Sequence, residues 1–237
     1  MSDIYRRRRF AVVATFIVLT IGVLIAATQT IPGPAATEQT TQNVTQSTTD
    51  GILASDILRT IAVKGRAPKT DYSRDQFGQG WSVALGCDTR NIILNRDLTN
   101  VQLDEKCNVI QGVLADPYTG KSINFVRGAG TSDDVQIDHV VALSDAWQTG
   151  AQLLSKQVRI QMANDPLELL AVDGPANQQK SDGDAATWLP PYKAFRCQYV
   201  ARQIAVKQKY SLWMTQAEYD AIDALLQSCP SQRLPTK

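Results

Sequence analysis

The chain contains a single histidine, His139, directly preceded by an aspartate, Asp138. Further along, Asn177 and Lys180 stand three residues apart, a spacing that places both on one face of a helix. Together these residue types suit metal-assisted hydrolysis of a phosphodiester. Asp138 and the side-chain carbonyl of Asn177 are hard oxygen ligands of the kind Mg²⁺ accepts while it keeps waters and takes a substrate phosphate oxygen. His139, with an unperturbed pKa near ~6.5, is largely neutral at neutral pH and can act as general base on the attacking water. The metal would stabilise the leaving oxygen. Lys180 reads either as a point charge for a neighbouring phosphate or as part of a solvated face. The lone histidine also excludes chemistry: a zinc site with two or three His ligands cannot form, and a Ser-His or Cys-His nucleophile would have to use His139.

Specific elements must position these side chains. Val135 to Val140 alternates like a strand, with Val135, Ile137 and His139 on one side. Adjacent strand residues face opposite ways, so the strand is expected to end or bulge at Asp138-His139. Leu167 to Val172 is a second short apolar strand. Asp173-Gly174-Pro175 then opens a helix, with Asp173 as N-cap and the proline in the first turn, and this helix carries Asn177 and Lys180. Asp116-Pro117-Tyr118-Thr119-Gly120 is a turn, and the strand from Ile123 to Val126 after it makes a hairpin. Apolar spacing predicts helices over 52–63, 142–149, 151–163, 192–210 and 215–227, with short apolar runs at 91–98 and 109–114. The order is α+β rather than a βαβ series.

The same residues carry a family resemblance. Asp138-His139-Val140-Val141 followed by Asn177-Gln178-Gln179-Lys180-Ser181-Asp182 resembles the HNH (ββα-metal) nuclease motif, as found in RNA-guided CRISPR nucleases and in the C-terminal domain of GmrSD-type restriction endonucleases. Gly65-Arg66-Ala67-Pro68 through Gly86-Cys87-Asp88, the Asp116–Gly120 turn, and the stretches 136–143, 169–174 and 183–190 are similar to exported HNH endonuclease family proteins. The likeness spans residues 55–230. It implies an HNH ββα-metal core embedded in a mixed helical domain, and a divalent metal, Mg²⁺ first and Mn²⁺ as the alternative. It also implies cleavage of nucleic acid, DNA before RNA, with Asp138 and Asn177 as metal ligands and His139 as base.

One position departs from the pattern. The middle Asn of the motif falls at Glu168. An ionised Glu only accepts hydrogen bonds where an Asn both donates and accepts. Glu168 is expected to orient the His139 ring, to add charge near the metal, or to weaken the site. The last case defines an alternative function, a catalytically impaired HNH-fold protein that binds nucleic acid or the cell surface. The terminal metal-binding His of many HNH proteins is also missing, and Asn177 takes its place.

Composition is consistent with a globular domain, with 43% hydrophobic and 20% charged residues in a chain of 237. The net charge of +1 is shaped by Arg6 to Arg9. Setting residues 1–28 aside leaves 20 basic and 22 acidic residues, so no global basic field advertises a polyanion partner. Nucleic-acid binding would then rest on local patches. The stretch 185–217 lacks Asp and Glu but holds Lys193, Arg196, Arg202, Lys207 and Lys209, a polyanion-binding surface or a solvated helix face. Arg127 before Gly128-Ala129-Gly130 reads as a phosphate-facing loop or a plain flexible one. Trp81, Trp147, Trp188 and Trp213 are expected in the core.

After the arginine cluster, Phe10 to Thr28 is an apolar run of 19 residues, enough to span ~30 Å as a helix. It is expected to be either a cleaved signal peptide or a retained N-terminal membrane anchor, with the remainder facing outward. Residues 29–50, rich in Thr and Gln, read as a disordered linker, and residues 51–237 as one domain. The expected product is an extracytoplasmic monomer, touching a membrane only if the first segment is kept. Four cysteines in an exported domain fit two disulfides, and of the three pairings the sequence-local one, Cys87–Cys107 with Cys197–Cys229, is the simplest.

Overall fold

The computed structural model describes residues 51–235, all within the second of the chain's two units, Thr48–Lys237. The signal or anchor expected at 1–28 and the linker expected at 29–50 lie outside the described residues. The order is α1 (Ala54–Leu58), a 3₁₀ turn (Arg74–Phe77), β1 (Val83–Ala84), β2 (Cys87–Asp88), α2 (Thr89–Asp97), β3 (Leu98–Leu103), β4 (Val109–Ala115) and β5 (Ser122–Val126). There follow β6 (Val135–His139), α3 (Leu143–Gln148), α4 (Lys156–Ala163), β7 (Leu169–Asp173), α5 (Gly174–Lys180), α6 (Arg196–Lys209) and α7 (Gln216–Leu226). The strands form three small antiparallel sheets, β1-β2, β3-β4-β5 and β6-β7. The architecture is α+β.

The β6-β7 pair lies between two hydrophobic clusters. Val135, Ile137, Leu169 and Ala171 face α2 and the three-stranded sheet, packing with Ile93, Leu94, Leu114 and Phe125. Leu170 and Val172 face the other way, into a larger helical core with Trp147, Met162, Tyr199 and Ile204. Both faces are therefore covered, which is why 169–172 reads as an unbroken apolar run.

Two expectations shift for physical reasons. The apolar run 91–98 belongs largely to a helix, because Asp88 caps it by accepting from Asn91 N at 2.7 Å. The helix expected over 52–63 is confined to Ala54–Leu58. Beyond it the backbone is drawn off to residue 214, with Met214 N donating to Ala62 O at 3.0 Å and Lys64 N to Met214 O at 2.9 Å.

Both sequence-local disulfides are present, Cys87–Cys107 and Cys197–Cys229. The first ties β2 to the β3-β4 loop, and the second ties the start of α6 to the residues after α7. The transmembrane expectation is corrected: among the described residues no helix is long and apolar enough to cross a membrane. The 14-residue α6 covers about 21 Å at ~1.5 Å per residue, short of the ~30 Å hydrocarbon layer.

Candidate active site

Strands β6 and β7 pair in unbroken register from Val135↔Asp173 to His139↔Leu169. There is no bulge at Asp138-His139. The strand instead ends at His139, and the two side chains enter different surroundings. Asp138 is 5% exposed and Lys180 2%, and Lys180 Nζ donates to Asp138 Oδ1 at 2.8 Å. The same ammonium donates to His139 O at 2.7 Å. The Tyr118 hydroxyl donates to the other carboxylate oxygen. Burial pushes the Asp138 carboxyl up from its usual range, while Lys180 and Tyr118 pull it back.

The His139 ring stacks parallel to Trp81, with centroids 5.7 Å apart and planes within 8°. Its Nε2 is 3.0 Å from Ala163 O. A carbonyl only accepts, so Nε2 carries the proton of the neutral ring and Nδ1 keeps its lone pair. Burial first, then the charges of Arg74 and Lys180, lower the imidazole pKa to about 3 against the opposing Ala163 contact. The ring is neutral across the physiological range, as a proton acceptor must be.

Helix α5 is fixed by local chemistry. Asp173 caps it, accepting from Ala176 N at 2.8 Å, and Pro175 stands in the first turn. Gly174 has no substitute: an added Cβ would lie 2.0 Å from Asp133 O. Asp116 ties the upstream turn to this start, taking Asp173 N on Oδ1 at 2.8 Å and Thr119 N on Oδ2 at 2.7 Å. That clamp sets Tyr118 beside Asp138. Sequence reasoning found the turn and missed this role for Tyr118, since the contact joins residues from different elements. Asn177 Nδ2 donates to Gln136 Oε1 at 2.9 Å, which leaves the side-chain carbonyl to serve as a ligand.

Asp138, His139, Asn177 and Asp182 line one polar cavity of about 270 Å³, together with Tyr72 and Arg74. It opens where β6 ends. An ionised carboxylate has about four lone-pair positions, so Asp138 can keep Lys180 and Tyr118 and still offer a lone pair. With the Asn177 carbonyl, this oxygen-rich set fits a hard divalent cation.

Glu168 does not line that cavity. Fully buried, it accepts from Val141 N through Oε2 at 3.3 Å, and its backbone carbonyl takes Val140 N at 2.9 Å. It therefore holds the loop that leaves His139, while the ring itself is held by Ala163 and Trp81. Burial pushes the Glu168 carboxyl well above its usual range.

The basic residues named from the sequence are mostly turned inward. Arg127 donates to Val109 O at 2.7 Å and to Asn91, Arg196 to Pro190 O at 2.7 Å, and Arg202 to Leu167 O at 2.9 Å. Lys193 is exposed on a short 3₁₀ turn. None of the four lines the Asp138 cavity. A second acidic group, Asp145, Asp184 and Glu218, brings carboxylate oxygens within 4.8 Å of one another. Cations of the protein already fill it: Arg66 reaches Asp145 at 2.6 Å and Asp184 at 2.7 Å, and Lys207 reaches Glu218 at 2.8 Å. It is an internal ion network joining residue 66 to α3, α6 and α7.

Residues 88–224 match the family of GmrSD restriction endonucleases, C-terminal domain. The chain is also 35% identical over 217 residues to an uncharacterized secreted protein of Arthroderma benhamiae, an alignment covering 91% of this chain and 98% of that protein.

Proposed function

The chain belongs to the family of GmrSD restriction endonuclease C-terminal domains, and from that premise we propose that it is an exported, metal-dependent endonuclease of the HNH type. The observation that carries this reading is one cavity bounded by Asp138, His139 and Asn177, delivered by an antiparallel strand pair and the helix that follows it. In this reading Asp138 and Asn177 hold Mg²⁺, with Mn²⁺ as the alternative. When bound, the metal supplies charge stabilisation for the oxygen that leaves phosphorus. His139 Nδ1 takes the proton of the attacking water, with Nε2–H on Ala163 O and the Trp81 face fixing the ring. Lys180 acts from beneath, compensating the buried Asp138 charge and bracing the backbone at His139.

DNA is the first substrate class, followed by RNA. Action outside the cytoplasm is supported by the two disulfides and by the relative described as secreted. The impaired-enzyme alternative rested on Glu168, and that side chain stands behind the loop rather than in the cavity. The test is nicking of plasmid DNA by the purified chain with Mg²⁺, Mn²⁺ or EDTA, beside His139→Ala. Cleavage with metal, absent in EDTA and in the variant, is expected. A wild-type chain inert toward DNA and RNA under every metal overturns the enzyme reading.

A further inference from the structure

His139 separates two cavities. On one side is the polar cavity with Asp138 and Asn177. On the other is a smaller one of about 150 Å³, lined by Phe77, Trp81, Leu143, Ala163 and Arg74. The two share Arg74, His139 and Leu143 as a common wall. An apolar cavity of this size admits a single six-membered ring. Trp81 is only half-buried, and beside it Gly78 and Gly80 line the cavity with φ of 106° and 83°, a conformation that favours glycine.

The polar chemistry of the two cavities divides in a way that matches a nucleotide. Asn164, at the edge of the smaller one, is already committed, accepting from Ser82 N at 2.8 Å and donating to Ile160 O at 2.9 Å. Apart from Arg74, a ring entering there meets apolar and aromatic surface rather than hydrogen-bond readout. Arg74 is exposed, and among the described residues its guanidinium has no hydrogen-bonding or ion-pair partner. That contrasts with Arg127, Arg196 and Arg202, whose donors are taken by carbonyls. An unclaimed planar fork at the boundary between an apolar slot and an oxygen-ligand cavity is suited to a phosphate oxygen.

We infer that the smaller cavity is a nucleobase slot, and that Arg74 holds the phosphodiester running from that slot to Asp138 and Asn177. This rests on the nuclease reading and names the part of the substrate the site grips. Because the slot offers stacking without base-edge partners, it accepts every base, preferring a pyrimidine for size, and the enzyme is sequence-tolerant.

The test is binding of a short oligothymidylate to the full chain in EDTA, by fluorescence anisotropy, against the same oligonucleotide with abasic sugars. Trp81→Leu, which keeps an apolar side chain without a ring face, is expected to weaken oligothymidylate binding about ten-fold and to leave abasic binding unchanged, with Trp81→Phe restoring most of the loss. Arg74→Gln is expected to weaken both ligands and to lower the slope of log affinity against log salt by about one, with Arg74→Lys restoring the slope. Equal losses on the base-bearing and abasic strands with Trp81→Leu, or no loss on either, overturn the slot. An unchanged salt slope in Arg74→Gln overturns the phosphate role. Since these readings need no metal, failure of cleavage under every metal condemns the nuclease reading alone, and the slot is still judged by binding.

Discussion

Lys180 Nζ stands 2.8 Å from Asp138 Oδ1, with the lysine side chain sealed from solvent and the aspartate 6% exposed. The lysine read as either a phosphate contact or part of a solvated face neutralises the aspartate expected to bind metal. A buried charge left without its partner is costly, about 3–5 kcal/mol when one member of a pair is removed. Lys180→Met is therefore expected to lose that much stability in EDTA, measured by urea unfolding. A divalent cation can replace the missing positive charge at Asp138, so Mg²⁺ or Mn²⁺ should stabilise Lys180→Met more than the wild type. An equal metal effect on both proteins would show that the cation does not reach Asp138.

Glu168 makes a prediction of opposite sense. Its carboxyl is raised well above the usual range by burial, so the folded state holds its proton more tightly than the unfolded chain. Stability from this group is complete below the unfolded value near ~4.3 and declines as pH rises toward the folded one. Glu168→Gln keeps an acceptor for Val141 N without the titration. It should match the wild type near pH 4 and exceed it at pH 8 in urea unfolding. A variant less stable than the wild type at pH 8 would mean that the carboxylate is charged and held by a partner.

His139 titrates in the other direction. Its pKa is lowered to about 3 by burial, so its stabilising contribution is fully present above the unfolded value near ~6.5 and is lost as pH falls toward 3, by up to ~1.4 kcal/mol per unit. In EDTA, the stability of wild type relative to His139→Asn should be flat from pH 7 to 8 and fall steadily from pH 6 to 4. A flat difference throughout would mean that the ring is open to solvent and protonates freely.

How much of this was readable in the sequence depends on range. The start of α5 was legible from the sequence, because an N-cap and a first-turn proline act within one turn. The alternation of 135–139 likewise located β6. Tyr118, Arg74 and Trp81 were not legible as parts of the site, since each reaches His139 or Asp138 from a separate loop or turn. The same limit explains Lys180 and the basic stretch 185–217: side chains that look solvated in sequence are tied to Asp138, Asp165, Glu218 and backbone carbonyls in the fold. Glu168 was read onto the second strand but lies in the turn just before β7, and its partner is a backbone amide, which residue types do not reveal.

The two disulfides should separate stability from the site. In the chain-entropy model, closing sequence separations of 20 and 32 residues stabilises by about 3 and about 4 kcal/mol. Cys197–Cys229 braces α6 against the end of α7, and neither cysteine lines the cavities beside His139. Cys87–Cys107 anchors β2, whose hairpin partner β1 begins two residues after Trp81, and Thr89 N donates to Ser82 O at 2.8 Å to close that loop. Replacing Cys197 and Cys229 by alanine should lower the melting temperature while leaving cleavage per folded molecule nearly unchanged. Replacing Cys87 and Cys107 should destabilise slightly less yet reduce cleavage several-fold, because the Trp81 wall of His139 loosens. Equal activity losses for the two pairs, measured below both melting transitions, would sever Trp81 from the function of His139.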